Sequence, residues 1–96
     1  MVEIKFIWDK NKNISNKKKH KVSFEEAQTV FYDENAKVVD DPDHSDLEER
    51  FIILGLSYSL RLLVVVHAYR ESDEIIRIIS ARRATKTESK FYNKGN

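Results

Sequence analysis

Two kinds of position in this sequence have the chemistry to act on a phosphodiester: a histidine set among lysines, and arginines set among aliphatic residues. His20 lies in Lys17-Lys18-Lys19-His20-Lys21, where the cations draw a polyanion toward a side chain that exchanges protons near neutral pH. The plainer reading of that run is a solvated helix end. Arg77 lies in Ile75-Ile76-Arg77-Ile78-Ile79, and an arginine there needs an anion, because an unmatched buried charge costs several kcal/mol. That anion is either a carboxylate of the chain, such as Glu49, or a bound phosphate, whose oxygens fit the guanidinium fork. Arg82 and Arg83 follow at the exit of the same strand pattern, and Arg50 in a neighbouring strand enlarges the cationic patch. Glu48 and Glu49 are the nearby acids available for proton transfer. His67 reads as a core side chain and His44 as a turn residue.

Other chemistries find less support. Asp40, Asp41, Asp43, His44 and Asp46 offer oxygen ligands for a hard cation, but the run lacks the glycine and distal glutamate of an EF-hand loop. With only two glycines, neither a phosphate-cradling loop nor a dinucleotide fingerprint is present. There is no cysteine, so disulfides and thiolate metal sites are excluded. We expect no metal and no cofactor.

The elements that position these residues follow from periodicity. Val2, Ile4 and Phe6 alternate with polar residues and predict a strand over 2–7. Asp9 can cap a helix running to about residue 19, with Ile14 its one apolar anchor. Ser23 and Glu26 form a capping-box pattern that opens a second helix over 24–31, with Phe24, Ala27, Val30 and Phe31 on one side. Lys37-Val38-Val39 is a short strand, followed by a loop around Pro42. Three strands follow over 50–56, 61–69 and 74–81, joined by links short enough for an antiparallel meander. The last two are almost wholly apolar, as central strands are. Strict alternation would set Ile75, Arg77, Ile79, Ala81 and Arg83 on one face. Thr85 and Glu88 open a final helix that ends near Gly95.

Ninety-six residues accommodate one domain over 1–96, too small for a large cofactor cavity. The apolar fraction of 41% supports a packed core despite 34% charged residues. The net charge of +1 conceals three blocks. Residues 1–23 carry seven lysines against Glu3 and Asp9, for +5; residues 24–49 carry Lys37 against ten acids, for −9; residues 50–96 carry nine basic groups against four acids, for +5. Such blocks give one surface able to attract polyanions and another able to meet a basic partner. The apolar runs are too short to span a bilayer, and no basic leader opens the chain. We expect a cytoplasmic protein with no membrane partner.

Trp8-Asp9, Asn11-Lys12, Asn16, Lys19 through Ala27 and Val30-Phe31 resemble the N-terminal half of the BrnT-type toxins. Asp41-Pro42-Asp43-His44-Ser45, Glu48-Glu49-Arg50-Phe51, Leu62 through His67 and Ile76 through Thr85 continue the resemblance. The family often has glycine after the Lys-His pair, where this chain has Lys21.

The resemblance implies an α+β, RelE-like fold: two N-terminal helices and a C-terminal helix around a twisted, mainly antiparallel sheet. It implies a ribonuclease toxin of a type II toxin–antitoxin system, with a BrnA-type ribbon-helix-helix antitoxin as partner and operator DNA reached through that antitoxin. Cleavage by the RNA 2′-hydroxyl would need a base, an acid and charge stabilisation, and no metal. Glu49 or His20 is the candidate base, with Arg77, Arg82 and Arg83 stabilising the phosphorane. Lys17, Lys19, Arg50 and Trp8 are candidates for holding the RNA. An acidic antitoxin segment would cover the arginines. The competing reading is a non-catalytic module that grips nucleic acid or an acidic protein with the same cations.

Overall fold

The computed structural model describes residues 3–43, 48–70 and 74–94. Strands β1 (Lys5–Ile7), β2 (Lys37–Asp40), β3 (Phe51–Leu56), β4 (Leu62–Arg70) and β5 (Ile75–Arg83) form one sheet in the order β1-β5-β4-β3-β2. The β2-β3-β4-β5 part is the expected antiparallel meander, with β4 and β5 inside. β1 is shorter than expected and pairs in parallel with β5 over three residues.

Helix α1 (Lys10–His20) begins at Asp9, whose carboxylate accepts from the Asn11 and Lys12 amides at 2.8 and 3.0 Å. Its anchor is not Ile14, which is 57% exposed, but the buried Asn16. The Asn16 side chain donates to the Val22 and Ala81 carbonyls at 2.9 and 2.8 Å and accepts from the Ala81 amide at 3.1 Å. β1 covers only the first residues of β5 on that side, so this amide satisfies backbone groups that the edge would otherwise leave open. α1 ends at Lys21 with φ 61° and ψ 29°, the left-handed conformation that favours glycine. The turn geometry thus survives the substitution. A non-glycine residue there costs roughly 1 kcal/mol, and the turn is held by the Lys21 amide on the Lys17 carbonyl at 2.9 Å.

The second helix is shorter than its pattern predicts: α2 (Phe24–Ala27) tightens into a 3₁₀ turn over Gln28–Tyr32. The Thr29 hydroxyl donates to the Glu26 carbonyl at 2.7 Å, a local bond that competes with the α-helical ladder. The turn presses on β3, where a Cβ at Gly55 would meet Val30 O and Ala36 Cβ at 3.1 Å. Val22, Phe24, Ala27 and Val30 pack on Ile53, Leu63, Val65, Ile78 and Ala81, the inner side of the sheet. Helix α3 (Lys86–Lys94) buries no residue. Polar ties hold it: Tyr92 donates to Asp33 at 2.6 Å, and the Lys37 ammonium donates to the Phe91 carbonyl at 2.7 Å.

Candidate active site on the outer sheet face

A bulge in β5 decides which arginines share a surface. Val66 pairs with Ser80 but His67 pairs with Ile78, so Ile79 is the extra residue and the alternation changes sides there. Ile78 and Ala81 both face the helices. Arg77, opposite Ala68, therefore joins Ser80 and Arg82 on the outer face, while Arg83, opposite Leu63, belongs to the inner one. This corrects the expected face of Ile75, Arg77, Ile79, Ala81 and Arg83. No sequence pattern announces the bulge.

On the outer face a cavity of about 230 Å³ is lined by His20, Asp41, Asp43, Val64, Ser80 and Arg82, among others. Three elements meet there. α1 sets half-buried His20 at its last turn, β5 carries Ser80 and Arg82, and the loop after β2 brings the two aspartates. Asp41 is buried and accepts from the Asp43 amide at 2.9 Å, an Asx turn that shapes the wall. Sequence reasoning considered these aspartates as metal ligands and missed them as lining of the His20 cavity. Their one signal was a dense polar loop. Among the described residues no three His, Asp or Glu side chains converge as a metal set would, and His44 and Asp46 lie outside those residues.

Arg82 makes two bonds of 2.8 Å to the Glu88 carboxylate. That pairing pulls Glu88 down to about 2 and raises Arg82. Arg77 is gripped by Glu48, which also accepts from Arg50 Nε at 3.5 Å. Hydrogen bonding to Arg77 lowers the Glu48 carboxyl. The carboxylate expected of Glu49 thus comes from Glu48, and Glu49 is exposed. Arg77 Nε is buried with no acceptor among the described residues. Both arginines have internal anions, so the demand for an acidic antitoxin segment on them loses its physical basis.

The remaining candidates lie elsewhere. Lys17 and Lys19 are exposed on α1 and Arg83 is exposed beyond the inner core. Trp8 is half-buried against the core, edge-on to Phe24 with centroids 6.0 Å apart, so its indole serves packing. His67 is fully buried among Phe31, Phe51 and Tyr69, and burial pushes its imidazole toward the neutral form. It is the core residue the sequence indicated.

A helix-backed sheet with a histidine and an arginine in one outer cavity defines a small α+β protein equipped to meet an anion. Residues 8–88 match the family described as the ribonuclease toxin, BrnT, of type II toxin–antitoxin systems, and the chain belongs to that family. It is similar to the 1.1 Å crystal structure of the Brucella abortus ribonuclease toxin, BrnT, with a TM-score of 0.64 and 27% sequence identity. The likeness covers 86% of this chain and 99% of that one. No curated protein matches the chain. No helix among the described residues is long and apolar enough to cross a membrane.

Proposed function

We propose that this chain is, as one domain, a cytoplasmic type II toxin that cleaves RNA without a metal. A BrnA-type ribbon-helix-helix antitoxin silences it and carries the pair to operator DNA. The observation that carries the reading is the cavity shared by His20 and Arg82. His20 takes the proton of the RNA 2′-hydroxyl as its oxygen bonds to phosphorus, and the bond to the 5′-oxygen breaks, with a proton supplied to that leaving oxygen. Arg82 faces the charge that develops on the phosphoryl oxygens, the form of stabilisation that weighs most in such steps. Lys17 and Lys19 hold flanking phosphates. Exposed Glu49 has less support as the base than His20, and Arg77, Arg50 and Trp8 are read as supports of the site. N-terminal helices packed on the inner face of a mainly antiparallel sheet support kinship with the RelE-like ribonucleases.

The reading of a non-catalytic module has one observation in its favour: Glu48 and Glu88 already neutralise two arginines. Incubation of purified protein with RNA in EDTA separates the two. We expect cleavage that leaves 2′,3′-cyclic phosphate ends and is lost in His20→Ala. A requirement for added Mg²⁺ would end the metal-free mechanism, and RNA binding without cleavage would favour the module.

A further inference from the structure

β2 ends the sheet, and its outer edge faces no other described strand. The Asp41 amide donates across to the Arg50 carbonyl at 3.1 Å. Antiparallel alternation then turns the amides and carbonyls of Val39 and Lys37 inward and those of Val38 and Asp40 outward. The side chains alternate too. Val38 lines an inner-face groove of about 590 Å³ with Phe31, Phe51 and Tyr69. Val39 lines a smaller outer-face groove of about 140 Å³ with Leu54 and Phe91. The two valines are 51% and 47% exposed. A bare edge flanked by an apolar groove on each face fits a strand, whose successive side chains point to opposite faces.

Charge states which strand. The acidic block over 24–49 nets −9, and several of its acids are engaged, Glu26 by Arg61, Asp33 by Tyr92 and Glu48 by Arg77. Glu34 and Asp40 stay exposed around β2. They repel RNA, and they oppose a second copy of this chain, which would bring the same acids edge to edge.

We propose that the outer edge of β2 is the docking strand for a basic, extended segment of the antitoxin, whose alternate apolar side chains enter the Val38 and Val39 grooves. This rests on the toxin reading for the partner; the Val39 groove adjoins the His20 cavity through Ile52 and Val64, whereas the Val38 groove lies on the opposite face of the sheet. The test is amide hydrogen exchange on the full chain, free and saturated with the antitoxin expressed beside it. The Val38 and Asp40 amides should slow by about tenfold or more in the complex. Val38→Pro removes an outward amide that an edge strand can spare. It should weaken antitoxin binding by about fivefold or more, the scale of one lost hydrogen bond, with the RNA cleavage rate unchanged. Asp40→Lys should also weaken binding and flatten its salt dependence. A complex that leaves both amides at their free rates, self-association that protects them without antitoxin, or no antitoxin binding at all overturns the inference. A chain that cleaves RNA with β2 unprotected keeps the ribonuclease reading and loses this one. A chain protected at β2 that cleaves nothing does the reverse.

Discussion

Glu26 and Glu88 occupy the same place in two Ser/Thr-x-x-Glu patterns, and each ends on an arginine, yet their surroundings give them different work. At the second pattern the box closes on itself. Thr85 accepts from the Glu88 amide at 3.2 Å, and Glu88 accepts from the Thr85 amide at 2.8 Å while holding Arg82 at the rim of the cavity. At the first, Ser23 accepts from the Glu26 amide at 3.0 Å, but the Glu26 carboxylate turns inward. It accepts from Ser57 at 2.6 Å, Ser59 at 2.5 Å and both Nε and Nη2 of Arg61, whose Nη2 also donates to the Lys21 carbonyl at 3.0 Å. One side chain thus joins α2, the β3–β4 turn and the end of α1. The same three-residue spacing yields a buried junction in one place and a surface clasp in the other, and burial decides which.

The largest expected effect follows from the buried junction. Glu26→Ala leaves Arg61, Ser57 and Ser59 without their shared acceptor and should cost about 3 kcal/mol of stability, the low end for breaking a buried ion pair. Hydrogen bonding to Arg61 holds the Glu26 carboxyl at about 2 against an ordinary 4.5. Its folded value is depressed, so its contribution is complete above pH 4.5 and disappears as pH falls toward 2. Urea melts at pH 7 and pH 3 read both. If Glu26→Ala melted like the parent at pH 7, the junction would be a surface feature after all.

Next is the clasp. Arg82→Ala should lower RNA cleavage by about 10²-fold, the usual loss on removing one charge-stabilising donor. It should change stability by under about 1 kcal/mol, since the pair is 42% and 31% exposed. Arg83→Ala, on the opposite face, should leave the rate alone. Equal losses from both would mean that the bulge does not divide the arginines as the register indicates.

Period and capping made most of the elements legible. Asp9, Ser23 and Thr85 marked three helix starts, and the apolar runs marked the three long strands. What stayed hidden depends on contacts far apart in sequence. Asn16 supports β5 from 65 residues away, and a polar residue in mid-helix carries no pattern that says so. Ile79 as a bulge is invisible because the run 75–79 is apolar on both sides of Arg77. Glu48 and Glu49 were indistinguishable until the chain placed one at Arg77. Of the site, His20 and Arg82 could be named from residue type, while the side of the sheet they share could not.

The smallest effect tests whether the clasp restrains Arg82 or only positions it. Glu88→Gln keeps a side chain that can still accept from the Thr85 amide, so the helix start should survive. It removes the charge that neutralises Arg82. Stability should fall by under about 1 kcal/mol, because a half-exposed ion pair contributes little. RNA affinity should rise, since a guanidinium no longer shared with a carboxylate is available to phosphate. The rise has a signature: one more phosphate contact steepens the slope of log K against log salt by about 0.7 for a single strand. Binding of a short single-stranded RNA over a salt series, with cleavage blocked by His20→Ala in both proteins, measures that slope. In the cleaving background the rate should hold or rise by a few-fold. A steeper slope with an unchanged rate makes Glu88 a restraint on RNA binding alone. A loss near that of Arg82→Ala would make it a positioning residue that the arginine cannot do without.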